Sequence, residues 1–284
     1  MRSLAWFALS LGTLLLSGCV MEDLDLPVHE RVDKKIALDP TGSFRLRNVN
    51  GAVRVEAWDQ NQVEIEAEKE ASSRRLLDEV QVDIRGEGDS VDVETHAPHR
   101  SFFFGGMTKV DYRVRAPREA RLDLRNVNGG IEVRGSGGRA RAETVNGSVR
   151  IENVSGVVEA TTVNGRIEAG YSRVAEGRHA FSTTNGSVTL YLPGDASAEF
   201  EAHTVNGRIS TEFPLQVNRR FGNHRLTGRL GDGRSSFRIR TVNGSVRLLK
   251  GPYQTVRKNR FPKSQPLEAV WPAEIGPPPA TAYE

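Results

Sequence analysis

A single cysteine, Cys19, in 284 residues means that no disulfide can form within the chain, so stability must come from non-covalent packing. Aromatic residues are 7% of the chain and methionines number 3, too few for a large globular core. With 28 glycines and 37% hydrophobic residues, this composition suits one all-β domain with thin layers. Catalytic signatures are absent as well: there is no Gly-x-Ser-x-Gly, no phosphate-binding glycine loop and no His-Glu-x-x-His. The six histidines are scattered, and the one close pair, His96 and His99, has no acidic residue beside it in sequence, so neither a metal nor any other cofactor is expected. Polysaccharide lyases and hydrolases need carboxylates converging on one exposed face, whereas the outward positions here mix Arg, Glu, Ser and Thr. The chain is therefore expected not to be an enzyme.

What is present is a repeat. Asn-Gly occurs seven times, at Asn50-Gly51, Asn128-Gly129, Asn146-Gly147, Asn164-Gly165, Asn185-Gly186, Asn206-Gly207 and Asn243-Gly244. Two residues before each Asn stands Asn or Thr (Asn48, Asn126, Thr144, Thr162, Thr183, Thr204, Thr241). The residue just before is Val, except at Thr184, and three after is always Val or Ile. Successive Asn positions lie 78, 18, 18, 21, 21 and 37 residues apart, so one unit is about 18–21 residues, and the last gap leaves room for one degenerate copy. Around each motif apolar residues alternate with polar ones, as in Ala142 and Thr144, then Val149 and Ile151, which is the period of a half-buried strand. Asn-Gly supplies the positive φ angles of a sharp bend.

Two architectures satisfy this pattern. In a hairpin meander or sandwich, each Asn-Gly is a type I′ turn. In a β-solenoid, each unit is one coil and equivalent residues stack about 4.8 Å apart. Recurrence of the same residue at the same phase favours stacking, because stacked Asn side chains form hydrogen-bonded ladders. Charges four residues after the Asn also alternate in sign between neighbouring units, through Glu132, Arg150 and Glu168. The solenoid is the expected fold, with the hairpin arrangement as its alternative.

In chain order, Arg2 and the apolar run Leu4 to Leu16 read as a signal peptide, too short to be a membrane span. It closes on Leu16-Ser17-Gly18-Cys19, which resembles the lipobox of bacterial lipoproteins; the resemblance implies cleavage after residue 18, lipidation of Cys19 and, from the Val20-Met21 that follow, the outer membrane. Residues 19–34 then form a tether, 35–250 the repeat domain and 251–284 a proline-rich disordered tail. Within the domain, Ser72-Ser73 before Arg74 to Glu79 predicts a short capped helix in an insertion. Phe102-Phe103-Phe104 suits a cap on an open sheet end better than a membrane contact. Over residues 30–250, the early Asn-Gly unit, the helix-bearing insertion, Val114-Arg115-Ala116-Pro117 and the serial Thr-Val-Asn-Gly resemble the bacterial adhesin-like family of β-strand-repeat proteins of unknown function. That resemblance implies a β-helical fold and an envelope location, and no site residues.

Charge gives the sharpest functional hint. The chain is +3 overall, yet residues 219–263 hold thirteen basic residues and one acid, a segment of +12 that leaves −9 elsewhere. Arginine dominates, and it suits bidentate contact with phosphate or carboxylate. Arg219, Arg220, Arg225, Arg229, Arg238 and Arg240 are the candidate anion-binding residues. In a cell envelope the anions on offer are lipid headgroups and acidic polysaccharides, not nucleic acid, and the charge asymmetry also leaves self-association open. The sequence thus reads as a non-catalytic, lipid-anchored envelope protein that binds or scaffolds through a repetitive surface. A polysaccharide-active β-helix enzyme and an envelope-stress accessory are the alternatives.

Overall fold

A computed structural model of the chain describes residues 27–97, 107–220 and 223–252, and in 216–220 and 223 the backbone only. The expectations for the leader, Cys19, Phe102-Phe103-Phe104 and the tail from residue 253 onward fall outside these residues.

The chain begins with β1 (Val28–Arg47), β2 (Val53–Trp58) and β3 (Gln62–Ala71), followed by α1 (Arg74–Glu79), β4 (Gln81–His96) and β5 (Thr108–Pro117). Strands then flank each Asn-Gly in pairs. These are β6 (Arg121–Arg125) and β7 (Ile131–Arg134), β8 (Ala140–Asn146) and β9 (Val149–Val154), and β10 (Val158–Asn164) and β11 (Ile167–Tyr171). β12 (Gly177–Asn185) and β13 (Val188–Leu192) follow, then β14 (Ala198–Asn206) and β15 (Ile209–Thr211). β16 (Gln216–Arg220) and β17 (Asn223–Leu230) intervene before the last pair, β18 (Ser235–Asn243) and β19 (Val246–Lys250).

The strand before each Asn-Gly joins one sheet, ordered β4–β1–β6–β8–β10–β12–β18–β14–β17–β16. The strand after it joins a second, ordered β1–β3–β5–β2–β7–β9–β11–β13–β19–β15. β1 serves both: Val28–Ala37 pairs antiparallel with β3, and Ser43–Arg47 pairs parallel with β4 and β6. Coil stacks on coil in parallel register, Thr144 beside Thr162 beside Thr183. This is the stacked architecture, not the hairpin one, because Asn146 bonds to Asn128 and Asn164 rather than closing a turn on itself.

The residues facing inward make a core one side chain deep from each sheet. Ala140, Ala142, Val149 and Ile151 fill one coil, and Val158, Ala160, Ile167 and Ala169 the next, all buried. Toward the C-terminal end the first sheet turns aromatic. His179, Phe237 and Phe200 lie side by side on β12, β18 and β14, with ring centroids 4.4 and 5.0 Å apart and nearly parallel planes. Tyr171 meets His179 and Phe237 edge-on.

Two expectations need correction. Residues 28–34 are not tether: they run as strand against β3, with Arg31 3.1 Å from Glu66 and Lys35 3.3 Å from Glu64. Inward-facing Lys69 pairs there with Glu30 at 3.1 Å, a contact that charged composition alone disguised as linker. Likewise, the 37-residue step from Asn206 to Asn243 holds no degenerate coil among the described residues. β16 and β17 form an antiparallel hairpin on the outer edge of β14, and β18 lies on its inner edge. Leu230 and Ser235 both pair with Ala198, so residues 231–234 cross over the start of β14 and insert the last coil between its two predecessors. The stacking order is thus Asn185, Asn243, Asn206. Phe237, seated between His179 and Phe200, gives that insertion a physical reason: in sequence order this place in the stack would be empty of its ring.

α1 starts at Ser73, whose hydroxyl accepts the Leu76 N–H at 3.4 Å, and buries Leu77. β4 carries Gly86 and Gly88 at φ +102° and +69°, and a Cβ on Gly86 would stand 2.2 Å from the Ser90 carbonyl.

Candidate functional site

Every coil passes from the first sheet to the second through its Asn-Gly corner. Each Asn amide donates to the side-chain oxygen of the Asn before it in the stack, giving six bonds of 2.8–2.9 Å through Asn50, Asn128, Asn146, Asn164, Asn185, Asn243 and Asn206. The position two before the Asn makes a second ladder. Thr144, Thr162, Thr183, Thr241 and Thr204 donate their hydroxyls to the carbonyls of Gly129, Gly147, Gly165, Gly186 and Gly244 at 2.8–3.0 Å. Asn126 does the same to Gly51 at 2.7 Å, and Asn48 to Val110 at 3.0 Å. These side chains are buried, and a buried donor needs its partner, which is why the position admits Thr or Asn and no apolar residue. The valines between the two ladders point outward, with Val127, Val145, Val163 and Val242 partly exposed.

The glycines are there for a different reason than the bend geometry suggests. Only Gly51 and Gly129 have left-handed φ among the seven corners, at +119° and +149°. At Gly147, Gly165, Gly186, Gly244 and Gly207 a Cβ would stand 1.8–2.0 Å from the glycine carbonyl oxygen of the adjacent coil. Close approach of stacked backbones excludes a side chain there.

The outer faces carry charge in cross-strand rows. On the first sheet Asp92, Arg45, Asp123, Arg141 and Glu159 succeed one another in register, and Arg45 meets Asp92 at 2.6 Å. On the second, Arg54 lies 3.8 Å from Glu132 and Arg150 3.4 Å from Glu168. Arg134 bridges Glu132 and Glu152 at 2.5 and 3.2 Å. Opposite charges on adjacent strands favour this register, and each exposed pair adds only a few tenths of a kcal/mol up to about 1.

The candidate anion-binding arginines are distributed along the C-terminal part of the first sheet. Arg225 reaches Glu201 at 3.2 Å, Arg238 reaches the same carboxylate at 3.3 Å, and Arg229 pairs with Glu199. Arg240 stands between Ser182 and His203 in register, and Arg219 and Arg220 lie on β16 opposite His224 and Asn223. Glu199 and Glu201 belong to β14, outside the basic segment as counted along the chain, so folding supplies counter-charge that a segment count omits. His96 also has an acidic neighbour after all, Asp83 at 3.4 Å, brought beside it by the fold and not by sequence.

Three buried ring groups titrate away from their ordinary values. Burial holds His179 below the usual histidine range, partly opposed by its hydrogen bond to the Ala175 carbonyl. Its Nε2 lies 3.0 Å from that carbonyl, and its Nδ1 receives the Val158 N–H at 3.3 Å and lies 2.9 Å from the Tyr171 hydroxyl. With Nδ1 as acceptor and Nε2–H as donor, the imidazole is neutral. Burial also raises Tyr171 well above the usual phenol range, and pushes Tyr112, whose hydroxyl lies 2.6 Å from that of Thr95, up to about 12.

The geometry defines the class: a two-sheeted, mostly parallel β-solenoid whose corners are hydrogen-bonded ladders. Residues 133–249 match the model of the Toastrack DUF4097 family. The resemblance to adhesin-like β-strand-repeat proteins holds at this level. Similar solved structures include a candidate cell adhesion protein from Clostridium sporogenes ATCC 15579, at 10% identity and a TM-score of 0.43, covering 78% of this chain and 100% of that one. A candidate adhesin from Bacteroides fragilis NCTC 9343 matches at 8% identity and a TM-score of 0.29, over 78% of this chain and 97% of that one. A candidate lipid binding protein from Parabacteroides distasonis ATCC 8503 matches at 9% and 0.27, over 79% and 95%. No curated protein matches the chain.

Proposed function

We propose that this protein is a non-catalytic component of the cell envelope, anchored through a lipidated Cys19, that binds or scaffolds anionic lipids or polysaccharides along its regular outer faces. The observation that carries this reading is the engagement of carboxylates in the cross-strand rows. Glu64, Glu66, Glu132, Glu152, Glu199 and Glu201 each contact an arginine or lysine. Glycoside cleavage instead requires two carboxyl groups set apart on one exposed site for acid and base roles, whereas these carboxylates are engaged with arginines along the rows. Anchoring at one end of the chain and a long repetitive surface beyond it suit contact rather than turnover.

The test is a panel of anionic vesicles and acidic envelope polysaccharides presented to the full chain, scored for binding and for cleavage products. Binding that weakens with salt and leaves the polymer intact is the expected result; release of shortened polysaccharide, abolished by a carboxylate substitution, would replace this reading with an enzymatic one. For the anchor, Cys19→Ala should move the protein from the membrane fraction to the soluble fraction. Unchanged membrane retention would remove lipidation from the account.

A further inference from the structure

The charge rows of the second sheet do not continue to its end. Four residues after each corner Asn the row reads Arg54, Glu132, Arg150, Glu168 and then Thr189, Arg247, Ser210. Two residues after the Asn, Ser148, Arg166, Ser187 and Ser245 follow one another, as the hydrogen bonds linking their carbonyls to the next coils show. Where alternation stops, a polar cavity of about 470 Å³ opens, with Arg166, Glu168, Ser187, Thr189 and Arg247 in its wall.

The cations here are unlike those elsewhere on the sheet. Arg247 has hydroxyl-bearing neighbours on both adjacent strands, Thr189 and Ser210, and makes no ion pair among the described residues. Arg166 reaches one carboxylate, Glu168, at 3.8 Å, and that carboxylate is also held by Arg150 at 3.4 Å. Thr189 is 6% exposed and its hydroxyl makes no hydrogen bond among the described residues, although it lines the cavity. A larger groove of about 900 Å³ on β1, β3, β5, β2 and β7 offers the contrast. Its arginines and Lys35 are taken, among them Arg113 by Glu66 at 2.7 Å, Arg115 by Glu64 at 3.0 Å and Lys35 by Glu64 at 3.3 Å.

We propose that the cavity between Arg166 and Arg247 is a binding site for a tetrahedral oxyanion, a phosphate group carried on a lipid or polymer or free in solution. A planar carboxylate is fully served by one bidentate guanidinium, whereas here two arginines from different coils and the hydroxyl-bearing Ser187 and Thr189 line one cavity. A phosphate group, with oxygens directed tetrahedrally and more than one negative charge, uses donors arranged that way. This site deepens the envelope-anion reading, on which it rests, by giving the anion a class and a place. It also moves the place from the basic segment's outer strands on the first sheet to the second sheet beside the corner ladder.

The experiment is titration of the full chain with inorganic phosphate, and in parallel with phosphatidylcholine vesicles with and without phosphatidic acid. Arg166→Gln with Arg247→Gln is the site variant, Thr189→Val the milder one, and Arg225→Gln with Arg229→Gln the control; thermal melts check that all fold. The double site variant should lose about tenfold or more in phosphate affinity, the scale of a charge-assisted hydrogen bond, with a smaller loss for Thr189→Val and none for the control. Binding of phosphate alone would assign the site to the free ion or a soluble ester, and binding of phosphatidic acid vesicles as well to a lipid headgroup. Vesicle binding that survives the site variant and is lost in the control would overturn this site while leaving the envelope-anion reading standing. No binding of phosphate, vesicles or acidic polysaccharide by the native chain would sink both.

Discussion

The coils around Asn128, Asn146 and Asn164 and those around Asn185, Asn243 and Asn206 share one corner and differ in everything built on it. The first three stack in chain order, fill the first sheet's interior with Ala, Val and Leu, and alternate Arg with Asp or Glu outside. The last three stack out of order, fill the first sheet's interior with His179, Phe237 and Phe200, and on the second sheet set Arg247 between Thr189 and Ser210. The difference teaches that the backbone ladder fixes only the spacing between coils. Which coil sits where, and what its outer face can bind, is decided by side chains that the ladder does not constrain.

The strongest way to break the comparison is to remove the ring that holds the inserted coil. Phe237→Ala should destabilise the protein by about 3–5 kcal/mol, the usual loss for deleting a buried aromatic side chain, read as a lowered midpoint in urea. An effect under about 1 kcal/mol would mean that Phe237 does not decide the stacking order. Next comes the shared corner. Gly165→Ala places a Cβ 1.9 Å from the Gly147 carbonyl oxygen, and forcing the coils apart should lose about 1–3 kcal/mol. Since the φ at Gly165 is not left-handed, a D-amino-acid-like conformational argument predicts no loss, so the same measurement separates crowding from backbone strain.

A smaller effect is expected at Asn146, which donates to Asn128 and accepts from Asn164, both at 2.8 Å. Asn146→Ala removes both bonds from a water-accessible ladder and should lose about 1–2 kcal/mol; stability equal to the native protein's would make the ladder incidental to the fold. The smallest effect sharpens the contrast between the two interiors through pH. His179 is held neutral, so below its ordinary value of about 6.5 the unfolded chain takes up a proton that the folded chain resists. Stability should therefore fall as pH drops through that range. His179→Phe, which cannot titrate, should show a flatter dependence of the melting temperature between neutral and mildly acidic pH; an identical slope would exclude His179 as its source.

Much of this was legible in the residues. The Asn-Gly phase led to stacking because identical neighbours were demanded at identical positions, and Asn146 bonded to Asn164 meets that demand. The role of Thr144 and its equivalents was not, because its acceptor is the glycine carbonyl of another coil, 15 residues away. Nor could Arg166 and Arg247 be associated: they lie 81 residues apart in sequence and line one cavity only because the coil of Asn243 is inserted beside that of Asn185.

The amino-acid sequence by itself determined the period, the strand character and the position of every corner, since these follow from local alternation and from residues repeated at one phase. Only the tertiary structure decided the order of the last coils, the pairing of residues 28–37 with β3 and the partners of the exposed arginines. Thr204-Val205-Asn206-Gly207 and Thr241-Val242-Asn243-Gly244 offer the same ladder contacts. The choice between them is made by rings and charges that face one another only after the chain has crossed over β14.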